Sequence, residues 1–327
     1  MQHVFIIAAP RSGTTWLVRA LNAHPDLYAT ELRAFGEYVD LIHDLGAAQP
    51  RVRITLDKYV DALLGSHTWE PLDPSRTVTR DRLVEAFYTT VAKDALARTG
   101  KPVFVDKITP YLGTSDRVAA TIARLFPDAK VIMLMRDGRD VAVSGVMHWL
   151  TRRMNGVSLS DHQRQRQAFF LERAGTAPDR FFADTELEDW ARHWREPIDA
   201  VTTHLGEKAL VVRYEDMWRD LASELRRMCE RLGIDASPGV IDRCVAESTF
   251  EVMSGGRSRG DDSPGAHVRK GVVGDWQSYF TAADAAIFDR VAGRTLIDQG
   301  YEPDAAWTMR LPRDLVSDRD REAIVSR

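Results

Sequence analysis

The sequence predicts an α/β protein: a doubly wound parallel sheet flanked by helices, with a P-loop-like turn near its start. Three observations predict it. Short apolar runs alternate with helix-like segments, the pattern of βαβ units. The segment Val4–Leu17, V-F-I-I-A-A-P-R-S-G-T-T-W-L, carries an apolar run into a Pro-Arg-Ser-Gly turn and then straight into a helical pattern. At 327 residues of ordinary globular composition, the chain suits one large domain with a sizeable core.

Taken in order, Val4–Ala9 reads as a buried parallel strand and Thr14–Ala23 as the helix that follows it. Arg80–Arg98 is helical in pattern, Val103–Val105 is a short strand, and Ser115–Phe126 is the next helix. Lys130–Met135 repeats the strand pattern, followed by helices over Asp140–Leu150 and Glu186–Leu205 and a strand at Ala209–Val212. The polar, Arg/Gln-rich region Gly156–Ala183 interleaves Phe169, Phe170, Phe181 and Phe182; it reads either as a lid over an acceptor site or as a helical insert packing its aromatics. Ser254–His267 has the composition of a mobile loop. The resulting division is a single domain over residues 1–300, with inserts at about 151–185 and 254–270, and a C-terminal extension over 301–327.

Composition narrows the function. A formal net charge of −4 carries no global nucleic-acid or anionic-membrane footprint, so any anion site must be local. Cys229 and Cys244 do not make a disulfide framework, and a reducing cytoplasm is the expected setting. Val4–Ala9 is too short for a signal sequence or a membrane span, and no other stretch reaches spanning length.

Three segments look built for anions. Around Arg11–Thr15, the backbone N–H groups of Ser12, Gly13, Thr14 and Thr15 would point at an anion, helped by the helix dipole. The Walker pattern is not met, because Thr14 stands where its lysine belongs and Arg11 supplies charge from the other side of the glycine. In M-R-D-G-R-D-V-A-V-S-G, Met135–Gly145, Arg136 leaves a strand end where it can fork onto a phosphate, and Ser144 can add a hydroxyl; the same letters also fit a turn of solvated ion pairs. In R-K-G-V-V-G-D-W, Arg269 and Lys270 precede Gly271, where a backbone can approach a ligand closely. Three separate anion binders suit a nucleotide phosphorylated at two distant positions. Trp16, Tyr214 and Phe250 offer aromatic faces to its base.

These segments together resemble the soluble sulfotransferase family, which uses 3′-phosphoadenosine 5′-phosphosulfate (PAPS). P-R-S-G-T-T-W resembles that family's 5′-phosphosulfate loop, R-D-G-R-D-V-A-V-S its 3′-phosphate strand–helix element, and R-K-G-V-V-G-D-W its last 3′-phosphate element. Y-E-D-M at Tyr214–Met217 and S-T-F-E-V-M at Ser248–Met253 resemble its adenine-side segments. The resemblance implies the sulfotransferase fold and transfer of a sulfuryl group to a hydroxyl or amine, releasing adenosine 3′,5′-bisphosphate (PAP), with no metal. By position it implies that Arg11, Ser12, Gly13, Thr14 and Thr15 hold the 5′-phosphosulfate and that Trp16 stacks on adenine. Arg136, Ser144, Arg269, Lys270 and Gly271 would hold the 3′-phosphate, with Tyr214, Ser248 and Phe250 near the adenosine.

Arg11 is the natural stabiliser of charge on the leaving oxygen, and Lys107, in V-D-K-I-T-P-Y, resembles a lysine that the family aims at the sulfuryl oxygens. The cytosolic branch places a histidine two residues after that lysine; here the position is Thr109. Another group must then take the acceptor proton. Glu31, in H-P-D-L-Y-A-T-E, is the first candidate, as in the carbohydrate and protein-tyrosine branches. Glu37 and His24 are rivals, His148 reads as a packed or surface residue, and Asp106 as a partner that orients Lys107. The branch's dimer motif is absent, with Gln277, Thr281, Ala282 and Ala286 in its place. The expected acceptor is a small molecule, a sugar or glycolipid, or a peptide natural product; the competing readings are a P-loop kinase or NTPase and a nucleotide-binding scaffold without turnover.

Overall fold

The computed structural model describes residues 2–31, 77–152, 160–263, 266 and 268–315. Within them, strands β1 (Gln2–Ile7), β2 (Leu27–Thr30), β3 (Val103–Ile108), β4 (Lys130–Met135) and β5 (Ala209–Arg213) form one parallel sheet in the order β2-β3-β1-β4-β5. Successive side chains on a strand face opposite sides of the sheet. Phe5, Ile7, Phe104, Val131 and Met133 therefore enter one apolar cluster, while Val4, Ile6, Val105, Ile132 and Leu134 enter another. Helices α3 (Ser115–Leu125), α4 (Gly138–Arg152), α6 (Asp184–His204) and α10 (Ala282–Asp298) cover the first face. Helices α1 (Thr14–Asn22), α7 (Tyr214–Arg219), α8 (Leu221–Leu232) and α9 (Pro238–Ala246) cover the second. Both faces are buried, as a doubly wound sheet requires.

The central position of β1 matters most. It pairs with β3 on one side and β4 on the other, so the chain winds outward from it in both directions. The crevice at such a switch point, beyond the carboxyl ends of the strands, is where this class of sheet takes ligands.

Several local expectations need correction. β1 ends at Ile7, two residues before the expected boundary, and β3 continues to Ile108, so Asp106 and Lys107 lie within the strand rather than after it. β2 falls in a stretch to which the sequence pattern assigns no element. Four residues make a weak local signal, and distant groups hold them in place. The Asn22 amide donates to Ala29 O at 2.6 Å and accepts from Ala29 N at 2.9 Å. Lys101 Nζ donates to the carbonyls of Asn22, His24 and Leu27 at 2.6–3.0 Å.

Residues 160–183 behave as a helical insert. α5 (Asp161–Phe170) starts at a Ser160–Gln163 capping box, and Phe170, Phe181 and Phe182 pack into the core rather than facing a ligand. Helix α2 (Thr77–Thr99) places Tyr88 and Ala92 in that core. Residues 301–315 are also part of the body rather than an extension: Trp307 is buried against Phe288, and Ala282 N donates to Pro312 O at 2.7 Å.

Candidate functional site

All five strand ends contribute to one cavity of about 300 Å³. Arg11 and Gly13–Trp16 approach it from β1 and α1, Glu31 from β2, Lys107 and Thr109 from β3, Arg136 from β4, and Tyr214 from β5. Of the residues expected to hold the nucleotide, Ser12 and Ser248 are missing from its walls.

The turn after β1 is shaped by two residues in the left-handed region, Arg11 at φ 70° and Gly13 at φ 92°. Gly13 is the N-cap of α1 and has no side chain to satisfy the first-turn N–H groups, which leaves them available to an anion. Ser12 departs from the expected role, because its N–H donates within the turn to Ala9 O at 3.3 Å and its buried hydroxyl lies off the cavity wall.

Gly13 also lets the Tyr214 ring lie against the turn: a Cβ there would stand 2.5 Å from that ring. Gly13→Ala is therefore expected to cost about 1–3 kcal/mol through combined backbone strain and overpacking. Its Tm should fall and PAP binding should weaken with it; an unchanged Tm would show that the turn relaxes freely.

The second and third anion segments are joined to the first and to each other. Arg11 Nε donates to Ser144 Oγ at 3.2 Å, and Arg136 donates to Arg11 O at 3.4 Å and to Val272 O at 3.1 Å. Asp140 accepts from Gly274 N and Trp276 N, both at 2.9 Å, and pairs with Arg136 at 3.4 Å. Asp140 thus bolts the third segment onto the second. Burial works against the Arg136 charge, but Asp140, Tyr214 and Glu215 outweigh it and raise its pKa, so it stays a cation. Its Nε is buried without a hydrogen-bond partner. A buried orphan donor of this kind fits an anionic ligand.

Arg269 pairs with Asp275 and with Asp262, the latter at 3.2 Å, and Lys270 Nζ lies 2.8 Å from Asp275. Burial pushes the Asp275 carboxyl up, but the two cations dominate and hold it below the ordinary range. The solvated-turn reading of Arg-Asp-Gly-Arg-Asp does not hold for Arg139. That residue is 2 % exposed, its guanidinium lies 3.7 Å from the Trp276 ring centre and 4.8 Å from that of Trp307, and it is anchored by Asp137 and Glu302.

The aromatic wall is made by Trp16, Tyr214 and Phe250. Trp16 and Tyr214 meet edge to face at 5.5 Å, and the Arg136 guanidinium lies 4.4 Å from the Tyr214 ring centre. Gly271, at φ 66°, is needed because any side chain there would run into Phe250. Ser248 does not reach the ligand space. It is fully buried, and its hydroxyl donates to Cys244 O at 2.7 Å, in the last turn of the helix that precedes it.

At the ends of β2 and β3, Lys107 Nζ lies 2.5 Å from Glu31 Oε1, and both line the cavity. Asp106 cannot orient Lys107, because strand alternation turns it to the other face, where it hydrogen-bonds Tyr88. His24 is removed as a base: it is fully buried, off the cavity, with Nδ1 accepting from Asp26 N at 3.0 Å and Nε2 lying 2.7 Å from Asp235 O. Glu37 lies outside the described residues. His148 lines the cavity after all, one helical turn beyond Ser144.

Sequence reasoning missed Trp190 and Arg259, which also line the wall. Trp190 comes from a helix far along the chain, and nothing local marks it. Arg259 sits in a Gly/Ser-rich stretch that reads only as a mobile loop. Among the described residues, no group of three or more His, Cys, Asp or Glu is placed to share a metal ion, and no helix is long and apolar enough to cross a membrane.

A parallel sheet whose switch-point crevice carries cations from three loops and aromatic rings between them defines an α/β protein built to hold an extended polyanion. The chain belongs to the sulfotransferase family, whose domain model, described as Sulfotransferase domain, matches residues 1–300. It is 30% identical over 183 residues to a 3-beta-hydroxysteroid sulfotransferase of Cavia porcellus, an alignment covering 54% of this chain and 58% of that protein. It is 27% identical over 222 residues to Sulfotransferase 2A6 of Mus musculus, covering 63% of this chain and 70% of that one. The chain thus spans little more than half the length of the guinea-pig relative. In fold it is similar to mouse sulfotransferase SULT7A1 complexed with PAP, with a TM-score of 0.51, 17% identity, and 94% of this chain and 88% of that chain covered.

Proposed function

We propose that this protein is a PAPS-dependent sulfotransferase acting on a hydroxyl or amine acceptor. The observation that carries the proposal is convergence: Arg11, Arg136 and the Arg269–Lys270 pair, from three loops, line a single cavity with Trp16, Tyr214 and Phe250. Arg11, Thr14 and Thr15 would hold the 5′-phosphosulfate, and Arg136, Ser144, Arg269, Lys270 and the Gly271 backbone the 3′-phosphate. The donor supplies an activated sulfuryl group, whose transfer forms a bond from the acceptor atom to sulfur and breaks the bond from sulfur to the bridging oxygen, with PAP leaving. Arg11 faces the negative charge that gathers on that oxygen, Lys107 balances charge on the sulfuryl oxygens, and Glu31 takes the acceptor proton. Positioning and fixed charge supply most of the catalysis, by analogy with phosphoryl transfer.

Relatives named for 3-hydroxysteroids support a hydroxyl acceptor on a small molecule. Sugar, glycolipid and peptide hydroxyls are the other classes to include in an acceptor panel. The two buried free cysteines suit a reducing cytoplasmic setting.

Ligand-linked stabilisation tests the reading, since a ligand bound at one hundred times its Kd adds about 2.7 kcal/mol. PAP is expected to raise the Tm by several degrees, and ATP–Mg²⁺ by much less. The reverse order would support a kinase. Transfer of radiolabelled sulfate from PAPS to the acceptor panel separates an enzyme from a scaffold without turnover.

A further inference from the structure

We propose that Trp190 is the specificity-determining wall of the acceptor subsite, and that it selects acceptors whose hydroxyl is carried on a flat aromatic ring. The inference rests on the reading of the cavity as a PAPS site and adds a substrate class to it. It concerns a residue outside every motif that suggested that reading.

Three observations carry it. The other large aromatic rings of the wall are seated on the first and third anion segments: Tyr214 lies on Gly13, Phe250 lies on Gly271, and Trp16 meets Tyr214 at 5.5 Å. Trp190 has a different seat. A Cβ at Gly145 would stand 2.2 Å from its six-membered ring, so the indole rests on the backbone of α4 one residue after Ser144. That seat adjoins the cation assigned to the leaving oxygen, because Ser144 Oγ accepts from Arg11 Nε at 3.2 Å. Trp190 is also tied to the strand that carries Lys107. His193 stacks on it, with ring centres 5.7 Å apart and an interplanar angle of 26°. His193 Nε2 in turn donates to Pro110 O at 2.9 Å, just beyond Thr109 at the end of β3.

In-line transfer fixes where an acceptor must lie. Its oxygen has to reach the sulfur that Arg11 and Lys107 serve, with its proton in reach of Glu31. Trp190 is linked by contact to both sides of that position, and it lines the cavity with Glu31, Lys107 and Thr109. The indole is half-buried, packed on Gly145 and braced by His193. It therefore offers the acceptor a fixed plane rather than a pliable side chain. Such a plane rewards another flat ring, through offset stacking or edge-to-face contact, beyond what area alone gives a puckered ring of the same size.

The test compares naphthol with its fully saturated analogue, decalol, as acceptors for wild type, Trp190→Phe and Trp190→Leu. The readout is the ratio of kcat/KM for naphthol to that for decalol, which is independent of the fraction of each variant that is folded. Trp190→Leu, which keeps an apolar side chain and loses the plane, is expected to lower the ratio about tenfold, mainly through the KM for naphthol. Trp190→Phe should recover most of it. PAP affinity, measured by calorimetry, should stay at the wild-type value in both variants. An unchanged ratio in Trp190→Leu would make Trp190 a filler of space and overturn the proposal. A parallel loss of PAP affinity would make it a nucleotide contact, with the same consequence. Wild type that binds PAP but transfers to neither ring alcohol would overturn the proposal and leave the PAPS reading in place. Failure of wild type to bind PAP would overturn both.

Discussion

Replacing Glu31 by glutamine is expected to lower kcat by about 10²- to 10⁴-fold, the usual contribution of a positioned general base. PAP affinity should hardly change. The reason is geometric. Glu31 and Lys107 meet at 2.5 Å beside the ends of β2 and β3, outside the three anion segments, and the amide oxygen of glutamine can still accept from Lys107 Nζ. The substitution therefore removes basicity and leaves the contact and the nucleotide subsite intact. Turnover measured over pH 6–9 with an alcohol acceptor, together with calorimetric PAP binding, checks this. Near-normal turnover would take Glu31 out of the mechanism and leave His148, which also lines the cavity, as the described alternative.

Arg11→Ala is expected to reduce kcat by about 10²- to 10³-fold, the cost of losing one donor aimed at developing charge. The Kd for PAP should weaken far less. Arg11 adopts φ 70°, a conformation that alanine tolerates no better than arginine, so the substitution does not relax the turn. Its backbone carbonyl would go on accepting from Arg136, which preserves the bridge to the second anion segment. The lost parts are the guanidinium charge and its bond to Ser144 Oγ. Because the charge on the leaving oxygen grows during transfer, kcat and kcat/KM should fall together. Equal losses in kcat and in ground-state PAP affinity would make Arg11 an anchor rather than a stabiliser of the transition state.

Much of this site is legible in the sequence, and the reasons are local. The turn at Pro10–Thr15 announces itself because a glycine must sit where φ is positive and because an apolar strand leads straight into a helix. Arg136 and the Arg269–Lys270 pair stand out as cations beside strand ends or glycines. What failed were readings that depend on neighbours distant in sequence. Ser248 looked like a ligand contact but spends its hydroxyl on Cys244 O, and Asp106 looked like the partner of Lys107 but faces the opposite side of the sheet. Arg139 and Asp140 fit a turn of solvated ion pairs, yet Asp140 accepts from Gly274 N and Trp276 N and Arg139 packs on Trp276, which holds the second and third anion segments together.

The amino-acid order by itself determined the sheet class, the residues that can meet an anion, and the missing Walker lysine. Each of these follows from periodicity, backbone conformation or side-chain chemistry within a few positions. Only the tertiary structure decided which of those residues share a cavity, that Glu31 rather than Asp106 meets Lys107, and that Arg259 closes over Trp16. Arg11 and Arg136 come within hydrogen-bond reach across 125 positions of chain because β1 and β4 are sheet neighbours. Such a pairing is set by how the whole sheet packs, which no short window of sequence contains.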